Sequence, residues 1–435
     1  MEKGPLRSKL LLRHKAATRE PHMKLTLRQQ ITQFTHLLQS ALFPVLEEQL
    51  GELSESAQRL VASLEMIPLA RFVPCGQGWI GRPSKDRLAI ASAFVAKAVY
   101  GFSTTRQLLE ALQRDAQLRR ICGWEGAHQV PHEATFSRAF QEFAQMELPQ
   151  LVHEALIRDT QQDRLIGHIA RDSTAIEARE RFPEKPALPQ ADPGSLFPPE
   201  PAAPVALPAV VEQGPPPTPA QRGGRPRGPS QRWKGGKRPK ALPQGTRLHR
   251  QRTMSLSQML ADLPKGCDIG CKTSSQGHQQ YWRGYKLHLD VADGQIPISA
   301  ILSAASLHDS QVAIPLATMS SQRVTYCYEL MDSAYDAGHI HAHSRQLGHV
   351  PIIDPASHGP KPQDTFLRVK QRQMSWAEEE RYNERTMVER VNGRIKDEFG
   401  GRYLRVRGAA KVMAHLMFGV LALTADQILR LGGGV

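Results

Sequence analysis

From residue 25 to 72, apolar residues recur at intervals of three and four, with Ile31, Phe34, Leu37, Leu38 and Leu42 marking one helical face. Gly81-Arg82-Pro83-Ser84 breaks the pattern, and Ser84 is placed to cap a helix carrying Leu88, Ile90, Phe94 and Val95. Helical spacing returns over residues 104–112 and 133–143. Residues 24–158 therefore read as an all-α N-terminal domain, whose short helices suit either a DNA groove or a plain bundle. A strand-like run, residues 165–170, follows and ends at Arg171-Asp172-Ser173-Thr174.

Beyond residue 265 the period changes to two. Tyr285, Leu287, Leu289 and Val291 alternate along a strand, Asp293-Gly294 is a hairpin turn, and residues 296–302 return. A helix over 309–318, a strand over 324–330 ending at Met331-Asp332, a helix over 336–347 and a strand over 350–354 complete the alternation. Two last helices are expected near 377–399 and over 409–431. Strands in a hairpin and then alternating with helices predict a mixed α/β sheet flanked by helices, built from residues 159–182 and 265–435.

Composition separates the two parts. Residues 183–219 hold thirteen prolines and cannot build a packed core. Residues 222–252 carry eleven Lys or Arg and no acid. The whole stretch 183–264 is thus expected to be a disordered insert whose basic half neutralises phosphates, with Arg225, Arg227, Lys237 and Arg238 among the DNA contacts. Residues 1–23 read as a basic tail. The net charge of +14 agrees with a nucleic-acid partner. Five scattered cysteines indicate a reducing compartment. Neither a signal peptide nor a membrane span of ~20 apolar residues is expected, so the predicted location is cytoplasmic, at the nucleoid.

The chemistry concentrates in Y-N-E-R-T-M-V-E-R-V-N-G-R-I-K, residues 382–396. At roughly 100° per residue, the spacing of Tyr382, Arg385, Glu389 and Lys396 puts all four on one stripe of a single helix. Asp172 and Asp332 each stand at the end of a predicted strand, where α/β sheets place active groups. With Glu389 they can form an all-oxygen site for two Mg²⁺ or Mn²⁺ ions, suited to in-line displacement at phosphorus. Arg385 and Lys396 are placed to hold a phosphate backbone, and Tyr382 to stack or hydrogen-bond near the cut end.

The spacing Y-x2-R-x3-E-x6-K resembles the signature of bacterial insertion-sequence transposases of the DDE class, the YREK group. Residues 168–174, 284–288 and 331–336 resemble that family's first-aspartate strand, second strand and second-aspartate segment. The region 104–140 is similar to its N-terminal domain. The resemblance implies an RNase H-like catalytic domain with Asp172, Asp332 and Glu389 as metal ligands. It implies cutting at inverted-repeat ends of double-stranded DNA and joining of the 3′-OH ends to target DNA, by a homodimer assembled on DNA. The Pro-rich and basic insert departs from the pattern. An inactive DNA-binding descendant and a nuclease that cuts without joining are the alternatives.

Other constellations read more plainly. His339, His341 and His343 are expected on the surface. Cys267, Cys271 and His278 lack a fourth zinc ligand. Asp309 is expected to cap a helix, and Asp336 to sit in a helical first turn.

Overall fold

The computed structural model describes residues 26–73, 86–180, 245–273, 278–355 and 374–432. The basic tail, Ser84, the Pro-rich stretch and the four named arm residues Arg225, Arg227, Lys237 and Arg238 lie outside the described residues.

The N-terminal part is helical. Helix α1 (Leu27–Leu37) passes through one π turn into α2 (Phe43–Leu50), followed by α3 (Glu55–Met66). Then come α4 (Arg87–Val99), α5 (Thr105–Arg114), α6 (Ala116–Cys122), α7 (Glu133–Gln145) and α8 (Leu148–Gln161). Thr26 and Thr104 close capping boxes with Gln29 and Gln107, which satisfies first-turn donors at both ends. Helix α4 is capped not by Ser84 but by Asp86, whose Oδ1 accepts from the Leu88 and Ala89 N–H groups at 2.8 and 3.2 Å.

Strand β1 (Leu165–Glu177) is twice the expected length. Helices α9 (Arg247–Gln251) and α10 (Leu256–Asp262) precede β2 (Asp268–Thr273). The predicted hairpin is β3 (Gln279–Ala292) and β4 (Ile296–Ala304), with Gly294 at φ +83° in its turn. After it run α11 (Ser310–Ser321), β5 (Thr325–Met331), α12 (Gly338–Gln346) and β6 (Val350–Ile353). The chain closes with α13 (Trp376–Asn383), α14 (Thr386–Asp397) and α15 (Ala409–Leu431).

These strands form one six-stranded mixed sheet in the order β2-β3-β1-β5-β6, with β4 also on β3. β3 is antiparallel to β1, whereas β5 and β6 run parallel to it in turn. At the end of β1 the strands close up tightly. Gly284 has φ +153°, and a Cβ there would stand 2.0 Å from the Ile176 carbonyl oxygen, so no other residue fits.

Two expectations change here. Residues 245–264, read as the end of a disordered insert, are folded. Met259 and Leu263 are buried, and the Arg247 guanidinium pairs with Asp262 at 2.8 Å. Apolar residues at helical spacing outweigh the basic composition. Helix α15, 23 residues long, is apolar enough to cross a membrane by length and composition, contrary to the expectation of no such run. It is instead the shared core of the fold. Phe418 packs against Phe94 and Phe140, while Val412, Leu416, Val420 and Leu423 join the cluster beneath the sheet. A helix buried on all sides reads as apolar all round.

Candidate active site

Side chains alternate across a strand, so neighbours on β1 face opposite ways. Even-numbered Ala170 and Ile176 share a cluster with Val388, Val391 and Ile395 of α14. Asp172 lies on that face, and the Asn392 amide of α14 donates to its Oδ2 at 3.4 Å. Asp172 is therefore in mid-strand rather than at the strand end. The polar run Arg171-Asp172-Ser173-Thr174 reads as a loop in sequence, yet it pairs with Asp290 to Leu287 of β3.

Asp332 follows β5 directly, as expected, and its Oδ1 accepts from the Ala334 N–H at 2.9 Å. The last parallel pair of β1 and β5 is Ala170 with Leu330. Two residues past this pair come Asp172, still within β1, and Asp332, just beyond β5. Their charges interact. Burial, and after it the Asp332 charge, pushes the Asp172 carboxyl up to about 6, against the pull of the Ser173 hydrogen bond, Arg385 and Lys272. Burial and the Asp309 charge likewise raise Asp332, opposed by the Ala334 N–H, Arg385 and Lys272.

The predicted single stripe is broken. Between α13 and α14 the hydrogen bonds shorten to i,i+3, from Arg385 N–H to Tyr382 O and from Met387 N–H to Glu384 O, each 3.0 Å. Tyr382 ends up 6% exposed in the core, not on a surface face. Arg385 lies over its ring at 5.8 Å and donates to Glu389 Oε1 at 2.7 Å. Glu389 is exposed. Its carboxylate is thus engaged by an arginine whose charge also acts on Asp172 and Asp332. Among the described residues, no three of His, Cys, Asp and Glu stand close enough to hold an ion. Lys396, two turns on, is half-buried and lines a neighbouring cleft.

The donors nonetheless suit a hard cation. Asp172 and Asp332 offer oxygen alone, and their mutual repulsion is what a divalent ion would relieve. The buried Asn392 Oδ1, next to Asp172, has no hydrogen-bond partner among the described residues. An amide oxygen of this kind can accept from ion-bound water.

Several residues here escaped the sequence reading. Asp309 makes no side-chain cap on α11. Its Oδ1 accepts from Lys286 Nζ at 2.9 Å, and its carboxyl, raised by burial, is brought below its usual value by His288, Lys286 and a Ser173 hydrogen bond. Lys272 on β2 acts on both aspartates without any motif to mark it. His339 and His343 are buried rather than on the surface, four residues apart on one face, with the His343 ring 3.0 Å from Thr318 Oγ1. Asp336 precedes α12 and bonds His341 at 3.1 Å. Cys267 and Cys271 are free thiols at β2.

Arg171 fills the opposite face. Its guanidinium is 1% exposed and grips Asp290 with two bonds of 2.8 and 2.9 Å, with Glu329 at 3.4 Å. Ser320 completes Asp290 at 2.6 Å, while Ser344 and Tyr326 complete Glu329 at 2.6 and 2.7 Å. This network fixes β1 between β3 and β5, and so fixes where Asp172 stands.

Residues 265–425 match the family model of the transposase DDE domain, and residues 48–142 match that of a transposase domain, DUF772. The two matches support an insertion-sequence transposase family and a transposase function. The DDE domain implies an RNase H-like fold, in agreement with the mixed six-stranded sheet and its helices. Asp332 and Glu389 lie inside the DDE match; Asp172 precedes it. No curated protein and no solved structure matches the chain.

Proposed function

We propose that this chain is a cut-and-join DNA transposase of the YREK group, acting on inverted-repeat ends through Asp172, Asp332 and Glu389. The observation that carries the reading is the aspartate pair. Two carboxylates just past the parallel pairing of neighbouring strands, both raised by burial and by neighbouring negative charge, suit a cation. Asp172 and Asp332 would hold Mg²⁺ or Mn²⁺, joined by Glu389 when it leaves Arg385. Two such ions would activate the attacking oxygen and steady the leaving one at phosphorus.

The chain's own residues do the rest. Arg385, propped on the Tyr382 ring, exchanges its Glu389 carboxylate for a DNA phosphate. Lys272 and Lys396 extend that positive surface. Arg225, Arg227, Lys237 and Arg238 neutralise further phosphates along double-stranded DNA. The active assembly is a homodimer on the DNA ends, working at the nucleoid in the cytoplasm.

The test is strand cleavage and joining by purified protein, with Mg²⁺ and DNA bearing the inverted repeats that flank its gene. Released 3′-OH ends joined to target DNA are the expected products. Asp172→Asn, Asp332→Asn and Glu389→Gln should each lower both steps at least a thousandfold, on the order of 4 kcal/mol of barrier. Undiminished activity in any of the three removes that residue from the site. Cutting without joining means a nuclease, and DNA binding without cutting means an inactive descendant.

A further inference from the structure

Helix α14, which carries Glu389, is not held in place by its own continuity. It begins just after Arg385, where the backbone bonds shorten to i,i+3, so α13 and α14 are not one rod. Within it stands Gly393, where an added Cβ would meet nothing within 4 Å. No close neighbour requires a glycine there, and glycine weakens a helix interior. Val388, Val391 and Ile395 pack the helix on the sheet. Apolar contact of this kind is non-directional and lets a helix shift by about 1–2 Å. At a reacting group, a misplacement of about 1 Å can cost roughly a hundredfold in rate.

Direction comes from Arg394, five residues beyond Glu389 and roughly 7.5 Å further along the axis. Its Nε donates to both Glu398 carboxylate oxygens at 3.1 Å, and its Nη1 to Gln427 Oε1 at 2.7 Å. Its Nη2 donates to Glu398 Oε2 at 2.8 Å and to Asp426 Oδ2 at 2.7 Å. Gln427 and Asp426 belong to α15. A planar guanidinium bonded to three partners has one orientation, and this fixes α14 against the core helix.

At Asp426 the hold passes to the other end of the chain. Its Oδ1 accepts from Arg59 Nη2 at 2.9 Å, and Arg59 belongs to α3 of the N-terminal helical part. Arg430 Nε stands 2.9 Å from Oδ2, so three arginines share one carboxylate. The side chains of Asp426 and Arg394 are 10% and 14% exposed, against 32% for Arg59. Burial would raise the Asp426 carboxyl, but the Arg394 bond and the charges of Arg59 and Arg430 hold it below its usual range. Arg59 lies in the 48–142 match and Arg394 in the 265–425 match, so the bridge spans both. Among the described residues, Arg59 bonds Asp426 and no carboxylate of the site.

We propose that Arg59, acting through Asp426 and Arg394, is a positioning residue for Glu389, which makes the N-terminal helical part a component of the catalytic unit. The proposal rests on the DNA-cutting reading for its consequence, but not for the coupling itself. Two measurements on the full chain test it. The first is cleavage of inverted-repeat DNA in Mg²⁺. Arg59→Met should lower the rate at saturating DNA about thirtyfold or more and leave the half-saturating DNA concentration within about twofold. Arg59→Lys keeps a charged donor for Asp426 Oδ1 and should recover most of the rate. Arg394→Lys, which cannot serve three partners, should not keep it. Asp426→Asn should show the same fall, and adding Arg59→Met to it should lower the rate less than about twofold further. The second measurement is amide hydrogen exchange in EDTA. Arg59→Met should speed exchange across residues 386–397, while β1 and β3 exchange as in the wild type.

A saturated rate within about twofold of wild type overturns the proposal. So does a loss confined to the half-saturating concentration, because Arg59 would then bind DNA instead of placing Glu389. Exchange that speeds equally in every element also overturns it, since Arg59 would then serve stability alone. If the wild-type chain cuts nothing while α14 still answers to Arg59, the transposase reading fails and the coupling stands. If the wild type cuts and α14 does not answer, the coupling alone fails.

Discussion

Arg171 and Asp172 are neighbours on one strand and live in opposite surroundings. Arg171 faces into the sheet's closed side, where Asp290 and Glu329 are 0% exposed and each hydrogen bond is answered. Burial works against its charge, but Asp290 and Glu329 hold it protonated. Burial raises the Glu329 carboxyl, and Arg171 with bonds from His349, Ser344 and Tyr326 more than reverses this. Asp172 faces the open side with the Ser173 N–H, a weak Asn392 amide donor and a second carboxylate nearby. Burial and the Glu329 charge raise Asp290 too, yet Arg171 and Ser320 bond both its oxygens. What sets Asp172 apart is that no cationic side chain among the described residues bonds it, and a repelled carboxylate without such a partner is open to a ligand. The difference is a single residue of strand register.

The comparison breaks most directly at Arg171. Arg171→Met strands Asp290 and Glu329 in the interior, and unpaired buried charges cost about 3–5 kcal/mol. Urea unfolding should show that loss. A cost under about 1 kcal/mol would mean that water reaches the cluster and that it does not hold the strand. Replacing Arg171, Asp290 and Glu329 together by apolar residues of similar volume should recover much of the loss, because the stranded charges are then gone.

Asp172 should respond with the opposite sign. Its folded carboxyl titrates near 6 instead of 3.8, so between those values the folded chain holds a proton that the unfolded chain has released. Stability from this group is therefore present at low pH, declines as pH rises from about 4 to 6, and stays low above. Asp172→Asn removes the decline. At pH 7 without metal it should be more stable than the parent by up to about 3 kcal/mol, with the gap closing toward pH 4. Mn²⁺ should raise the parent's melting temperature at pH 7 and leave the variant's nearly unchanged. A variant less stable than its parent at pH 7 would show that the carboxylate is structural.

How much of this could be read in advance follows from the range over which each signal acts. The β-hairpin β3–β4, the helices 105–114 and 133–145 and the Asp332 strand end are legible because hydrophobic period and turn residues are local. β1 was read only to Ala170, since the polar Arg171–Thr174 run is a strand solely through its pairing with β3. Helices 247–251 and 256–262 were hidden by basic composition, although Met259 and Leu263 gave them a buried face. The stripe Tyr382, Arg385, Glu389 and Lys396 named the right segment, but spacing alone does not reveal a switch to i,i+3 bonds at Arg385. Asp309 and Lys272 reach the aspartates through tertiary folding and leave no local mark.

The smallest effect sharpens the comparison most. Arg385 and Glu389 form a 2.7 Å pair, but the Glu389 side chain is 52% exposed, and an open pair of this kind contributes about 0–1 kcal/mol. Arg385→Met should therefore shift the urea midpoint very little, unlike Arg171→Met on the closed face. Its electrostatic reach should still register, because the Arg385 charge lowers the carboxyls of both Asp172 and Asp332. Without it both should titrate at higher pH, as seen by carboxyl-carbon NMR in the metal-free protein, and the pH at which Mn²⁺ begins to bind should rise with them. If the midpoint falls as far as it does for Arg171→Met, the open face is as structural as the closed one. If the carboxyls do not move, Arg385 holds Glu389 alone and the aspartates answer to Lys272, Asp309 and each other instead.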